Sequence, residues 1–69
     1  MSKFSDRLKE LRKEKGLSQK ALAEQLGYNQ SMICFWEKGV NEPTESAIRK
    51  AALFFEVSAD YLLGLTDEY

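Results

Sequence analysis

The sequence predicts an all-α fold: a compact, five-helix domain. Three observations predict it. Apolar residues recur at helical spacing, with no strand-length alternation and few β-branched residues. An apolar residue followed at once by a good capping residue occurs three times, at Leu17-Ser18, Tyr28-Asn29 and Val57-Ser58. Each of these apolar residues has an apolar partner five positions on, Leu22, Ile33 and Leu62, which is the spacing of a hydrophobic staple across a helix start.

The elements follow in order. Phe4, Leu8 and Leu11 form one apolar stripe on a first helix that ends at Gly16, where a left-handed C′ residue fits. The three staple-and-cap pairs place helix starts at about residues 19, 30 and 59. Gly27, Gly39 and Gly64 supply the matching stops. A further helix begins after Pro43-Thr44, with Thr44 as cap and Ile48, Ala52 and Phe55 on its buried side.

Helix two, Gln19 to Leu26, turns Leu22 and Leu26 inward, and the small Ala23 beside them lets another helix approach closely. Gly27 and Tyr28 leave a very short turn before the Asn29 cap, with Gly27 expected at positive φ. Helix three faces the core with Ile33 and Trp36, joined by Tyr28. Gln30, Ser31, Cys34, Phe35 and Lys38 then point outward or lie at the edges. Two helices joined this tightly hold a fixed crossing angle and can lay the second one across another molecule.

Composition bounds the function. Sixty-nine residues make one domain, 1–69, and a domain this small buries only roughly 60% of its unfolded surface. A single cysteine excludes an internal disulfide, and a reducing compartment is the simplest home. Without histidine, and with one cysteine, the usual metal sets and His-based triads are absent. There is no glycine-rich phosphate loop, and no arrangement pairs the carboxylates. Neither an enzyme nor a cofactor, metal or small-molecule ligand is expected. The longest apolar run, Ala51 to Phe55, is too short to span a bilayer, and the N-terminus opens on a charged helical pattern rather than a signal segment. The expected location is the cytoplasm.

The net charge of −1 argues against a simple nucleic-acid binder, but its distribution softens that objection. Residues 1–20 carry seven Lys/Arg (Lys3, Arg7, Lys9, Arg12, Lys13, Lys15 and Lys20) against three acids. Residues 42–69 carry Arg49 and Lys50 against six acids. Such a dipolar molecule can present its basic end to a polyanion. The same charges also serve as ordinary solvated helix faces.

The pattern Gln19-x3-Ala23-x3-Gly27-x5-Ile33-x2-Trp36-Glu37-x-Gly39 resembles the helix-turn-helix of the phage-repressor, Cro-like (XRE-type) DNA-binding family. The flanks FSDRLKELRKEKGLSQ and NEPTESAIRKAALFFEVSADYLLG agree, so the resemblance covers about residues 4–64 and leaves 65–69 as a tail. It implies a five-helix domain with helix three in the major groove of double-stranded DNA, and hence a protein associated with the nucleoid. Carried over residue by residue, Gln19 contacts a backbone phosphate and braces Gln30. Asn29, Gln30, Ser31 and Phe35 fall at positions contacting bases and the flanking backbone. Lys38 and Asn41 fall in the phosphate-contacting loop, and Arg12 and Glu37 correspond to an ion pair between helix one and the end of the reading helix. The resemblance further implies a transcriptional repressor, from a bacterium or its mobile elements, binding a palindromic operator as a homodimer. Tyr61, Leu62 and Leu65 are the expected dimer surface, although Leu62 and Leu63 also suit closure of the monomer core.

Phe35 departs from the family, which usually has a polar or basic residue there. It can pack on a thymine methyl, or against a neighbouring loop if the helix is slightly rotated. It can also join Met32 and the C-terminal tail in an apolar surface for a protein partner, which is the alternative reading: an antitoxin-like or adaptor module. Cys34 is either a packing residue or a redox sensor.

Overall fold

A computed structural model describes residues 3–69. Its helices are α1 (Lys3–Glu14), α2 (Gln19–Leu26), α3 (Gln30–Lys38), α4 (Glu45–Phe55) and α5 (Ala59–Leu62). No strand occurs among the described residues.

One connector is used three times. Gly16-Leu17-Ser18, Gly27-Tyr28-Asn29 and Glu56-Val57-Ser58 each run from a left-handed residue through an apolar residue to an N-cap. The apolar residue closes one helix and opens the next. Its N–H reaches back to the preceding helix, from Leu17 to Arg12, Tyr28 to Ala23 and Val57 to Ala52. The cap then accepts from the third residue of the following helix: Ser18 from Ala21, Asn29 from Met32 and Ser58 from Tyr61, each at 3.0 Å. Thr44 caps α4 in the same way.

The staple partners Leu22, Ile33 and Leu62 are completely buried, and with Leu8 they are the largest side chains so enclosed. Local helix-start signals therefore also set the centre of the core. Phe4, Leu11, Leu26, Trp36, Phe55 and Tyr61 pack around them. The Trp36 ring meets Tyr28 edge-on at 5.0 Å and Phe4 at 6.2 Å.

One expectation needs correction. The buried stripe of α4 is Ala47, Ala51 and Phe55, with Ile48 and Ala52 only half-buried. Alanines on this stripe let α4 lie close to the other helices, where the larger Ile48 fits only at the margin. α4, for which the sequence marks no stop, ends at Glu56, which takes φ 57°.

The C-terminal tail folds back over α1 and α5. Arg7 donates to the carbonyls of Tyr61 and Thr66 at 3.3 and 3.1 Å and to Asp67 at 2.8 Å. Its guanidinium lies 3.9 Å from the centre of the Tyr61 ring. Burial works to lower the Arg7 pKa, but the Asp67 hydrogen bond and the Tyr61 and Asp67 charges reverse this, and the net direction is up. Tyr69 stacks edge-on against Tyr61, and its carbonyl accepts from the Ser58 N–H. No helix among the described residues is long and apolar enough to cross a membrane.

Candidate nucleic-acid interface

The phase of α3 is set by Ile33 and Trp36, which are 0% and 4% exposed. Their burial turns Gln30, Ser31 and Phe35 to the surface, with Cys34 half-buried. Ala23, on the facing side of α2, is buried and small enough for close approach. Together with Gln19 from α2, these α3 side chains line one shallow concavity of about 240 Å³. Cys34 belongs to this lining, although the resemblance does not place it among the contacting positions. Its i, i+4 relation to Gln30 was the signal that could have found it.

A polar lock holds α3 in place. Arg12 Nε donates to Glu37 Oε2 at 2.6 Å and Arg12 Nη2 to Glu37 Oε1 at 3.0 Å. Arg12 Nη1 donates to the Leu17 carbonyl at 2.8 Å, which ties in the α1–α2 connector. Gln19 Nε2 completes the lock by donating to Glu37 Oε1 at 3.1 Å. The Glu37 hydrogen bond raises the Arg12 pKa against the opposing effect of burial. Three helices thus meet at one carboxylate near the end of α3, and the α1–α2 connector is tied in through Arg12.

The other sequence-derived positions divide. Gln19 lines the concavity with Gln30, and its amide nitrogen donates to Glu37. The Asn29 side-chain oxygen is committed to capping α3, which leaves its NH₂ as the group it can offer outward. Lys38 is exposed at the last turn of α3. Asn41 is exposed outside the concavity, at the rim of a separate 300 Å³ cavity with Phe4, Ile48 and Leu63. Of the basic residues in the first twenty, Arg7 is held by the tail, Lys13 is exposed, and the Lys3 side chain lies outside the described residues.

Tyr61 and Leu62 are 8% and 0% exposed, so both side chains are used in the monomer core. Of the three expected dimer residues, Leu65 alone is exposed, along with Leu63, Leu53 and Tyr69. Met32 packs partly against the core and does not form an exposed patch with Phe35.

Electrostatics distinguishes α2 and α3 from the other helices. α1, α4 and α5 each carry an acid in the first turn: Asp6, Glu45 and Asp60. α2 and α3 carry none, so their N-terminal partial positive charge is not offset locally.

Residues 8–62, from within α1 to the end of α5, match the helix-turn-helix family pattern. The chain belongs to the helix-turn-helix family. It is 38% identical over 61 residues to the HTH-type transcriptional activator BcrR of Enterococcus faecalis, which covers 88% of this chain and 30% of BcrR. The chain spans 30% to 58% of the length of the curated relatives it matches. Among solved structures, the P22 c2 repressor in complex with a synthetic operator superimposes with TM-score 0.82 at 28% identity, covering 87% of this chain and 91% of that one. The biofilm regulator SinR in complex with DNA, a protein of Bacillus subtilis, gives 0.80 at 33% identity, with 87% and 97% covered. These relatives and structural neighbours are transcription regulators, not enzymes.

Proposed function

We propose that this helix-turn-helix chain is the DNA-reading part of a sequence-specific transcriptional repressor, with α3 lying in the major groove of an operator. The observation that carries this reading is the polar outer face of α3, held in fixed phase by a buried lock. Gln30 is suited to bidentate pairing with adenine N6 and N7, with Asn29, Ser31 and Phe35 beside it. The unopposed N-termini of α2 and α3 favour phosphate, and Lys38 and Asn41 reach the backbone beyond the reading face. The neighbours seen with an operator and with DNA support this assignment, and the P22 protein's name supports repression over the activation named for BcrR.

One α3 reads only a few base pairs, so useful affinity calls for a homodimer on a roughly palindromic site. Half-sites then lie about 10 to 10.5 base pairs apart, or a multiple of that. The exposed Leu63 and Leu65 are the apolar groups available to such a dimer.

Selection from a random duplex library, followed by anisotropy titration across a salt series, tests the reading. A palindromic consensus with affinity falling steeply with salt is expected, because phosphate contacts release counterions. Failure to enrich any sequence, or binding indifferent to salt, rejects it in favour of a protein-interaction module.

A further inference from the structure

Phe35 is 42% exposed. Every other aromatic residue of the chain has a ring partner: Phe4 and Tyr28 with Trp36, Phe54 with Phe55, and Tyr61 with Tyr69. Phe35 stands outside both these pairs and the core cluster. The burial of Ile33 and Trp36 excludes the rotated phase that would turn it inward. It is also no part of a broad apolar surface: its neighbours in the concavity are the Gln19 and Gln30 amides, the Ser31 hydroxyl and the half-buried Cys34. A protein-binding hot spot is normally a desolvated apolar cluster. Here a single apolar group sits among hydrogen-bonding groups.

That mixture matches the major-groove edge of A·T pairs. Adenine presents N7 and the N6 amino group, while thymine presents O4 and one apolar group, its C5-methyl. We infer that Phe35 is a specificity-determining residue that reads a thymine C5-methyl, next to an adenine paired with Gln30. This inference rests on the DNA-binding reading above and adds to it the chemical group recognised. It makes the preference at that position one for the methyl itself. Uracil, which keeps every hydrogen-bonding group of thymine, should therefore be rejected there.

The test uses the full 69-residue chain and its selected operator. Each thymine is replaced by uracil in turn, and affinity is read by fluorescence anisotropy. One thymine per half-site should stand out, its replacement weakening binding about three- to fourfold for each methyl lost. Phe35→Gln should bind the thymine and uracil duplexes equally, with circular dichroism confirming that it is folded. Indifference to uracil at every thymine, a consensus lacking thymine, or an unchanged uracil penalty in Phe35→Gln overturns the inference while leaving DNA binding intact. If the wild type enriches no sequence, both readings fall.

Discussion

Arg12 and Glu37 face one another through two hydrogen bonds, with side chains only 11% and 4% exposed. They lie 25 residues apart, and their pairing fixes the last turn of α3 against α1. Breaking a buried pair from one side strands the other charge. Arg12→Ala should therefore cost about 3–5 kcal/mol, a large share of the roughly 3–10 kcal/mol expected for a chain of this size. The thermal midpoint followed by circular dichroism should fall by roughly 12 °C or more. Arg12→Met combined with Glu37→Leu should recover most of the loss, since both charges are then gone. An unchanged midpoint in the single variant shows that α3 does not depend on the pair.

Gln30 is exposed and contributes nothing to the core, so Gln30→Ala should melt like the parent. Its effect should appear in binding, as a loss of about 1–3 kcal/mol and relaxed preference at one base pair. A repeated library selection reads this directly. The same consensus at the same affinity means that the register assigned to α3 is wrong.

Lys38 should behave differently. A phosphate contact carries no sequence information, so Lys38→Ala should weaken all duplexes alike and reduce the salt slope by about 1. Titrating the operator and a scrambled duplex at several salt concentrations checks it. Loss confined to the operator reassigns Lys38 to base reading.

Glu56 occupies the left-handed position that glycine fills in the other two connectors. That conformation costs an L-residue roughly 1–2 kcal/mol, partly offset because glycine gives the unfolded chain more freedom. Glu56→Gly should give a net stabilisation of about 0.5–1 kcal/mol, visible as a higher urea midpoint with unchanged slope. A lower midpoint shows that the Glu56 side chain contributes more than its backbone costs.

Tyr69 links the tail to pH. Its phenol is held above the ordinary tyrosine value, first by the charge of Glu14 and then by Tyr61. The folded state therefore favours the neutral phenol. Tail docking is fully supported below about pH 10 and weakens as pH rises through the raised folded value. NMR of the Ser58 amide, which donates to the Tyr69 carbonyl, should show release at alkaline pH, and Tyr69→Phe should delay it. Identical pH profiles for the two proteins rule out the phenol as the trigger.

Much of this architecture is legible because its signals are local. Leu17-Ser18 and Leu22 lie within one helical turn of the start they define, and the same holds for Tyr28-Asn29 with Ile33 and Val57-Ser58 with Leu62. The spacing of Ile33 and Trp36 likewise gives the outward face of α3. The stop at Glu56 is hidden because nothing in glutamate's own preferences marks a left-handed residue. The Arg7 clamp is hidden because its partners lie 54 to 60 residues away. Gln19 shows the limit within the site itself. Its place at the start of α2 gives no sign of its amide partner, Glu37, which comes into reach only after α1, α2 and α3 assemble.

The separation of inward and outward positions along α3 makes this fold easy to retarget. Ile33, Trp36 and Glu37 anchor the helix, whereas exposed Gln30, Ser31 and Phe35 take no part in the core cluster or the lock. Exchanges at these three positions should be close to neutral for folding while changing what the helix meets. The scaffold can therefore acquire a new address without being rebuilt.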